Sequence, residues 1–336
     1  MRPTFSPALV NGPFGDPGLY LDFKFEKRAL LFDLGDLAAL APKQILRISD
    51  VFVSHTHMDH FIGFDRLLRL SVGRETGVRF FGPPGFVDQV EHKLAAYTWN
   101  LVENYPVDFA VTACEVSPAW KARAARFRCH GRFRREDIPA PELAPGLLLD
   151  DPAFTVRAAF FEHRTPCLGF AVEEKMHVNV WKNRLAELGL PTGPWLKDLK
   201  EAVLGNASGE TPIRAWWRDH DGPHEHVFPL RELKEKVLQL VPGEKIVYVT
   251  DVVYQEDNAR RIAALAAHAD QLFIESVFLH EDADHAARKY HLTARQAGMI
   301  AHAARAKTVT QFHFSPRYID REDELRAELD AARAGR

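Results

Sequence analysis

Residues 54–64 read SHTHMDHFIGF, directly after the apolar run Val51–Phe52–Val53. Within six residues stand three histidines and an aspartate: His55, His57, Asp59 and His60. A strand turns alternate side chains to opposite faces, so His55 and His57 leave the end of an extended segment on one side. His60 then begins the turn into the amphipathic stretch FDRLLRL. Imidazole nitrogens and a carboxylate at this density suit zinc and its borderline neighbours. A single His-x-His is commonplace. The run H-x-H-x-D-H between a strand and a helix is not.

Outward from this stretch one pattern recurs: a short apolar, β-branched or aromatic run, most often ending in a polar residue. It is seen in ALLFDLGD from Ala29, DVFVSH from Asp50, VRFFGP from Val78 and FTVRAAFFEH from Phe154. It returns in KIVYVTD from Lys245, QLFIES from Gln271 and KTVTQFHF from Lys307. Each reads as a strand. FDRLLRL, PGFVDQVEHKLAAYTW and TARQAGMIAHAARA carry helical spacing, the last with Thr293 as its N-cap. Strands and helices mix throughout, so the class is α/β or α+β around a central core. From Met176 to Phe228 the text turns helical and then loop-like, with Gly and Pro punctuation. This reads as an arm inserted into one domain, 1–336, rather than as a second domain.

The 336 residues carry a net charge of −3, with 46% hydrophobic and 26% charged residues. That composition is ordinary for a folded, water-soluble chain, and any nucleic-acid contact must come from a local patch. The three cysteines, Cys114, Cys129 and Cys167, are odd in number and scattered, which fits a reducing compartment. The opening MRPTFSPALVNGPFGDPG has no apolar h-region, and no run is long enough to span a bilayer. A cytoplasmic protein is expected.

The stretch HTHMDH resembles the HxHxDH signature of the metallo-β-lactamase fold, with Gly63 in the place of the glycine of its DHxxG extension. The resemblance implies a four-layer αββα sandwich whose strand ends hold one or two metals. It also implies further ligands downstream, in the order His, Asp, His, each after an apolar strand. His163, Asp251 and His313 fill that order. By carry-over, His55, His57 and His163 hold one metal, Asp59, His60 and His313 the second, and Asp251 bridges. Zinc suits this ligand mix, and manganese is also compatible.

Four more segments are similar to ribonuclease Z: EHRTPCLGFAVEE, LGLPTGPWLKDLKEA, KYHLTARQAG and FHFSPRY. The similarity runs from about Leu30 to Tyr318, with 105–150 poorly matched. It implies an endoribonuclease acting on tRNA precursors, leaving a 3′-hydroxyl and a 5′-phosphate, and a homodimer. Asp59 would orient or deprotonate the attacking water. His291 would protonate the leaving 3′ oxygen, with Glu275 beside it. Its other reading is a residue at a helix start. Arg317, in FHFSPRY, is a candidate substrate contact. The chain departs from the family in its opening, FSPALVNGPFGDPGLYLDF, which lacks the Pro- and Arg-bearing loop expected near the cut. The His-Glu-Ala-Thr element is reduced to IESV and the His-Ser-Thr element to HLT.

Two other readings stand beside this one: a hydrolase of a small molecule such as a cyclic nucleotide, lactone or thioester, and a nucleic-acid binding module with a structural metal site. The stretch WKARAARFRCHGRFRR, 120–135, holds no acid and alternates cationic with apolar residues from Arg126 to Arg134. In a strand that is one cationic face, for phosphates or for discouraging edge association. By resemblance the arm grips RNA, with Lys197 and Lys200 as backbone contacts. DHDGPHEH, from Asp219, holds His220, Asp221, His224 and His226 but reads as a polar hairpin turn. FGPPGF lacks the spacing and lysine of a phosphate loop. No base is evident for Cys167, so thiol catalysis is not expected.

Overall fold

The computed structural model describes residues 5–24, 26–142, 144–175, 177–241 and 243–336. The chain divides into two compact units. The larger runs to Leu149 and resumes at Val156–Val172 and Lys245–Arg336; the smaller holds Asp150–Thr155 and Glu173–Glu244. The arm read from the sequence falls in the smaller unit, and its first residue, Met176, lies outside the described residues. Among the described residues no helix is long and apolar enough to cross a membrane.

The first sheet of the larger unit follows chain order. Its strands are β1 (Phe5–Leu9), β2 (Leu19–Phe23), β3 (Ala29–Phe32), β4 (Ile48–Phe52), β5 (Val78–Gly82), β6 (Ala110–Val116), β7 (Ala122–Arg128) and β8 (Arg135–Ile138). Pairing is parallel from β3 to β6 and antiparallel on either side. Parallel strands are covered on both faces and so read as nearly continuous apolar runs, as in the wholly buried ALLF of β3. The helices Phe64–Ser71 and Phe86–Ala95 carry the crossovers, and their Leu67, Phe86 and Val90 join Val51, Phe80 and Val111 in one core.

The chain continues through β9 (Leu147–Asp150), β10 (Phe154–Glu162) and β11 (Pro166–Glu174) into the smaller unit. There β12 (His177–Val180) pairs with β15 (Leu238–Val241), and β13 (Pro212–Asp219) with β14 (Gly222–Pro229). The helices Trp195–Leu204 and Leu230–Val237 bury Trp195, Leu199 and Leu233 against Ile213 and Ala215. The text after Gly205 is therefore a β-hairpin and not a loop. Ile213 and Ala215 are buried while Arg214 and Trp216 are exposed, the period-two signature of a half-buried strand. The polar stretch DHDGPHEH makes the tip at Asp219–Gly222 and the start of β14, in keeping with the expected hairpin turn.

Back in the larger unit come β16 (Lys245–Val249), β17 (Gln271–Glu275) and β18 (Thr308–Phe312). They complete a second sheet in the order β18-β17-β16-β11-β10-β9, with β16, β17 and β18 mutually parallel. The two sheets face each other through aromatic rings. Phe32 of β3 lies 5.6 Å from Phe170 of β11 and 6.2 Å from Tyr248 of β16. The helices Glu256–Leu265, Ala294–Ala304 and Glu322–Arg333 pack Ile262, Ile300 and Leu325 behind the second sheet. The result is the expected αββα layering.

The arginine alternation stops at Arg128, where β7 ends; Arg132 and Phe133 turn the chain with φ of 56° and 53°. Its arginines are largely balanced by acids: Arg123 by Asp88 and Glu115, Arg128 by Asp108, Arg132 by Glu103, and Arg135 by Asp88 and Glu91. They read as an ion-pair lattice on the antiparallel end of the sheet.

Candidate metal centre

Most residues of the centre sit just past a strand's end or close it. His55 lies three residues past β4, and Asp33 directly follows β3. His163 follows β10, Asp251 lies two residues past β16, Glu275 closes β17, and His313 follows β18. Parallel neighbours end together, so residues far apart in the text reach one edge of the sandwich. The helix Met58–Phe61 brings Asp59 and His60. Gly63 lets this segment close on the loop after β3: its N–H donates to the carbonyl of Leu34 (2.8 Å). A Cβ there would run into the carbonyl oxygen of Gly35.

Among the described residues three groups of ligand atoms meet here, one of them Glu275, His291 and His313 with Asp251, and Asp251 faces all three. Its Oδ2 lies 3.3 Å from His163 Nε2 and 3.8 Å from His55 Nε2. His57 completes this group, its ring 4.3 Å from that of His55. The Oδ1 of Asp251 lies 3.4 Å from His60 Nε2 and 2.9 Å from His313 Nδ1. Asp59 completes the second group, its Oδ2 3.4 Å from His60 Nε2 and 3.3 Å from His313 Nε2. The structure thus brings together all seven residues singled out in the sequence.

The tautomers follow from what the other ring nitrogens touch. His163 Nδ1 donates to the carbonyl of Tyr290 (2.8 Å). His60 Nδ1 donates to Asp33 Oδ2 (2.9 Å). The Ser54 hydroxyl donates to Asp33 (2.9 Å), so the contact between His55 Nδ1 and Ser54 Oγ (3.1 Å) has His55 as donor. Three Nε2 atoms are left aimed at Asp251. Those of His55 and His60 are buried and make no hydrogen bond among the described residues. On a neutral ring a bare nitrogen lone pair repels the carboxylate oxygen it faces, and an unpaired buried polar atom costs about 1–3 kcal/mol, so either a proton or a cation belongs between them. A cation between them removes both penalties, so the donor set fits divalent metal.

The charges agree. Burial, with the neighbouring His60, pushes His55 down to about 2. Burial also opposes charge on His313, yet the Asp251 carboxylate lifts it to about 10, and Asp251 and Asp33 raise His60 well above its usual range. Against its own burial, Asp251 is held well below the carboxylate range by His313 and His60. The two carboxylates demand positive charge that cations would supply.

Sequence reasoning missed Asp33 and Tyr248. Asp33 is fully buried, with φ of 58°. It accepts from the Ser54 N–H (2.7 Å), the Ser54 hydroxyl, His60 and the Tyr248 hydroxyl (3.0 Å). Such a partner orients the ligand and raises its basicity. The signal for Asp33 was an aspartate closing the apolar run ALLF.

His291 Nδ1 lies 3.0 Å from Glu275 Oε2 and 3.9 Å from Asp251. Its pKa is raised: burial opposes the charge, but Glu275 outweighs it. Glu275 is itself buried and accepts from the N–H groups of Val252 (2.7 Å) and Leu292 (3.3 Å). Thr293, and not His291, caps the next helix, accepting from Gln296 N–H (3.3 Å). Cys167 differs from expectation in having an imidazole nearby, His55 Nδ1 at 3.7 Å, but burial pushes its thiol well up and keeps it neutral.

Arg317 is tied to Asp282 (3.1 Å) and stacks over Phe278. Lys197 is exposed and reaches Glu201 at 3.6 Å, whereas Lys200 is half-buried with its pKa lowered by burial.

No protein-family model matches the chain. It is similar to the ribonuclease Z of Deinococcus radiodurans, with 30% identity over 334 residues covering 98% of this chain and 95% of the relative. Among solved structures it is similar to the metallo-β-lactamase fold protein YhfI from Bacillus subtilis. There the TM-score is 0.54 at 15% identity, over 97% of this chain and 93% of the other. It is also similar to human tRNase Z, short form, with a TM-score of 0.50 at 19% identity, over 94% and 93%. At these identities the structures speak for the fold, which is that of the metallo-β-lactamases.

Proposed function

The chain belongs to the ribonuclease Z family, and from that premise we propose that it is a hydrolytic endoribonuclease that trims the 3′ ends of tRNA precursors. The cut leaves a 3′-hydroxyl on the tRNA and a 5′-phosphate on the trailer. One observation carries the chemical reading: Asp251 presents one oxygen to each of two ligand groups, beside the His291–Glu275 pair.

We assign His55, His57 and His163 to one divalent cation and Asp59, His60 and His313 to a second, with Asp251 shared. Bound there, the pair would polarise the phosphodiester and supply a nucleophile at neutral pH. The protein's own groups do the rest. Asp59 lies between His60 and His313 and is assigned to orient or deprotonate the attacking water. Asp33 and Tyr248 hold His60 in register. Glu275 keeps a proton on His291 Nδ1 and favours the imidazolium, so His291 can protonate the departing 3′ oxygen from Nε2.

Zinc is the cation assigned first, on its preference for nitrogen with oxygen, with manganese second. A homodimer and a cytoplasmic setting complete the reading; three free, buried cysteines suit a reducing compartment. The segment 176–228 is assigned as the arm that holds RNA. Lys197 is the better contact, because its exposed pair with Glu201 is weak and exchangeable for phosphate. Burial makes Lys200 the poorer one.

The test gives metal-loaded protein a tRNA precursor, a small phosphodiester and a lactone. Cleavage of the precursor at its 3′ side supports the proposal. Turnover of the lactone alone moves the assignment to small-molecule hydrolysis, and turnover of none leaves a binding module.

A further inference from the structure

A cavity of about 370 Å³ opens beside the metal centre. Asp59, His291 and His313 line one side of it, and Phe14, Phe278 and Lys289 are among the residues lining the rest. We propose that Lys289 holds a phosphate neighbouring the scissile one, so that the site selects a polynucleotide over a small diester. This rests on the ribonuclease reading above and adds a specificity residue to it.

The argument begins with charge. A polynucleotide brings one negative charge per nucleotide, and a cationic side chain gives a phosphate a strong, charge-assisted contact. Among the described lining residues Lys289 alone carries a permanent positive charge, while Asp16 and Asp59 are acids. The loop that contributes Phe14, Gly15 and Asp16 offers no substitute, because residues 5–23 contain neither lysine nor arginine. Arg317 pairs with Asp282 (3.1 Å) and is not among the residues that line the cavity. Lys289 is exposed and makes no ion pair or hydrogen bond among the described residues, so its ammonium is available.

Placement supports the same role. Lys289 closes the helix Ala283–Lys289, and the next residue, Tyr290, takes φ of 62°. The Tyr290 carbonyl accepts from His163, and His291 donates to Glu275. The backbone carrying Lys289 is therefore pinned to the reacting centre from both of the next two residues. The side chain of Lys289 is exposed and lines the cavity.

The experiment compares wild type with Lys289→Met and Lys289→Arg, all metal-loaded. The substrates are a tRNA precursor and bis(p-nitrophenyl) phosphate, which has no second phosphate. For Lys289→Met the ratio of kcat/KM, precursor over diester, should fall about tenfold. The log–log salt dependence for the precursor should become shallower by about 0.7, the share of one phosphate contact on a single strand. Lys289→Arg should keep most of both. A ratio and salt slope equal to wild type in Lys289→Met would overturn the proposal, as would equal losses on both substrates, which mark a structural role. Wild type that hydrolyses the diester but leaves the precursor whole would instead sink the ribonuclease reading, and this proposal with it.

Discussion

An imidazole delivers a proton only from the nitrogen that faces the substrate. Glu275 settles which one that is in His291 by accepting a hydrogen bond from Nδ1 (3.0 Å), which leaves Nε2 to face the substrate. His291→Ala should therefore slow precursor cleavage by roughly 10²–10⁴-fold. Metal content, read by elemental analysis, should stay at the wild-type level, since His291 lies outside the assigned ligand set. An unaltered rate would remove it from the mechanism. The cysteines give a second test at this scale. Cys114 and Cys167 are buried, and burial pushes the Cys114 thiol up to about 12 and that of Cys167 well above its usual range. Thiolate is the reactive form. Iodoacetamide at mildly alkaline pH should leave both unlabelled in the folded protein, and label them after denaturation, as read by mass spectrometry.

At the scale of elements, the close approach at Gly63 is the joint between the loop after β3 and the helix bearing Asp59 and His60. Gly63→Ala should cost about 1–3 kcal/mol by overpacking, seen in denaturant unfolding, and should lower metal affinity as well. Thr293→Ala removes the cap and capping box of the helix Ala294–Ala304. The expected cost is about 1 kcal/mol, with metal content retained. What the text disclosed and what it hid divide along the same line. Strand-end ligands were legible because an apolar run stopping at His or Asp marks both the element and its polar end; His163, Asp251 and His313 all do this. Asp33 ends its apolar run in the same way, but its part in the site, like that of Tyr248, was hidden, since their contact spans two sheets and has no spacing to read. The hairpin β13–β14 was hidden for another reason. Only Ile213 and Ala215 of its first strand are buried, and Gly, Pro and charges around them mask the period. The cationic alternation misled past Arg128, where turn residues kept the pattern without the strand.

For the whole molecule, the metal centre is also a clamp between the two sheets. His55 and His60 come from the first sheet's side; His163, Asp251 and His313 come from the second. A ligand bound only by the folded state stabilises it, by about 2.7 kcal/mol at a hundred times its Kd. Stripping the metals with a strong chelator should abolish cleavage and lower Tm by roughly 5 °C or more. Zinc or manganese should restore both, followed by calorimetry alongside the cleavage assay.

The hydrogen bond from Tyr248 to Asp33 joins residues 215 positions apart. Such distant pairings close slowly, because a long loop must be ordered before they form. While the chain is being made, His55, His57 and His60 emerge early with nothing to complete them, and Asp251 and His313 come much later. A nascent or prematurely terminated product would hold scattered imidazoles and no working scissors. A product truncated before Asp251 should therefore leave a tRNA precursor uncut.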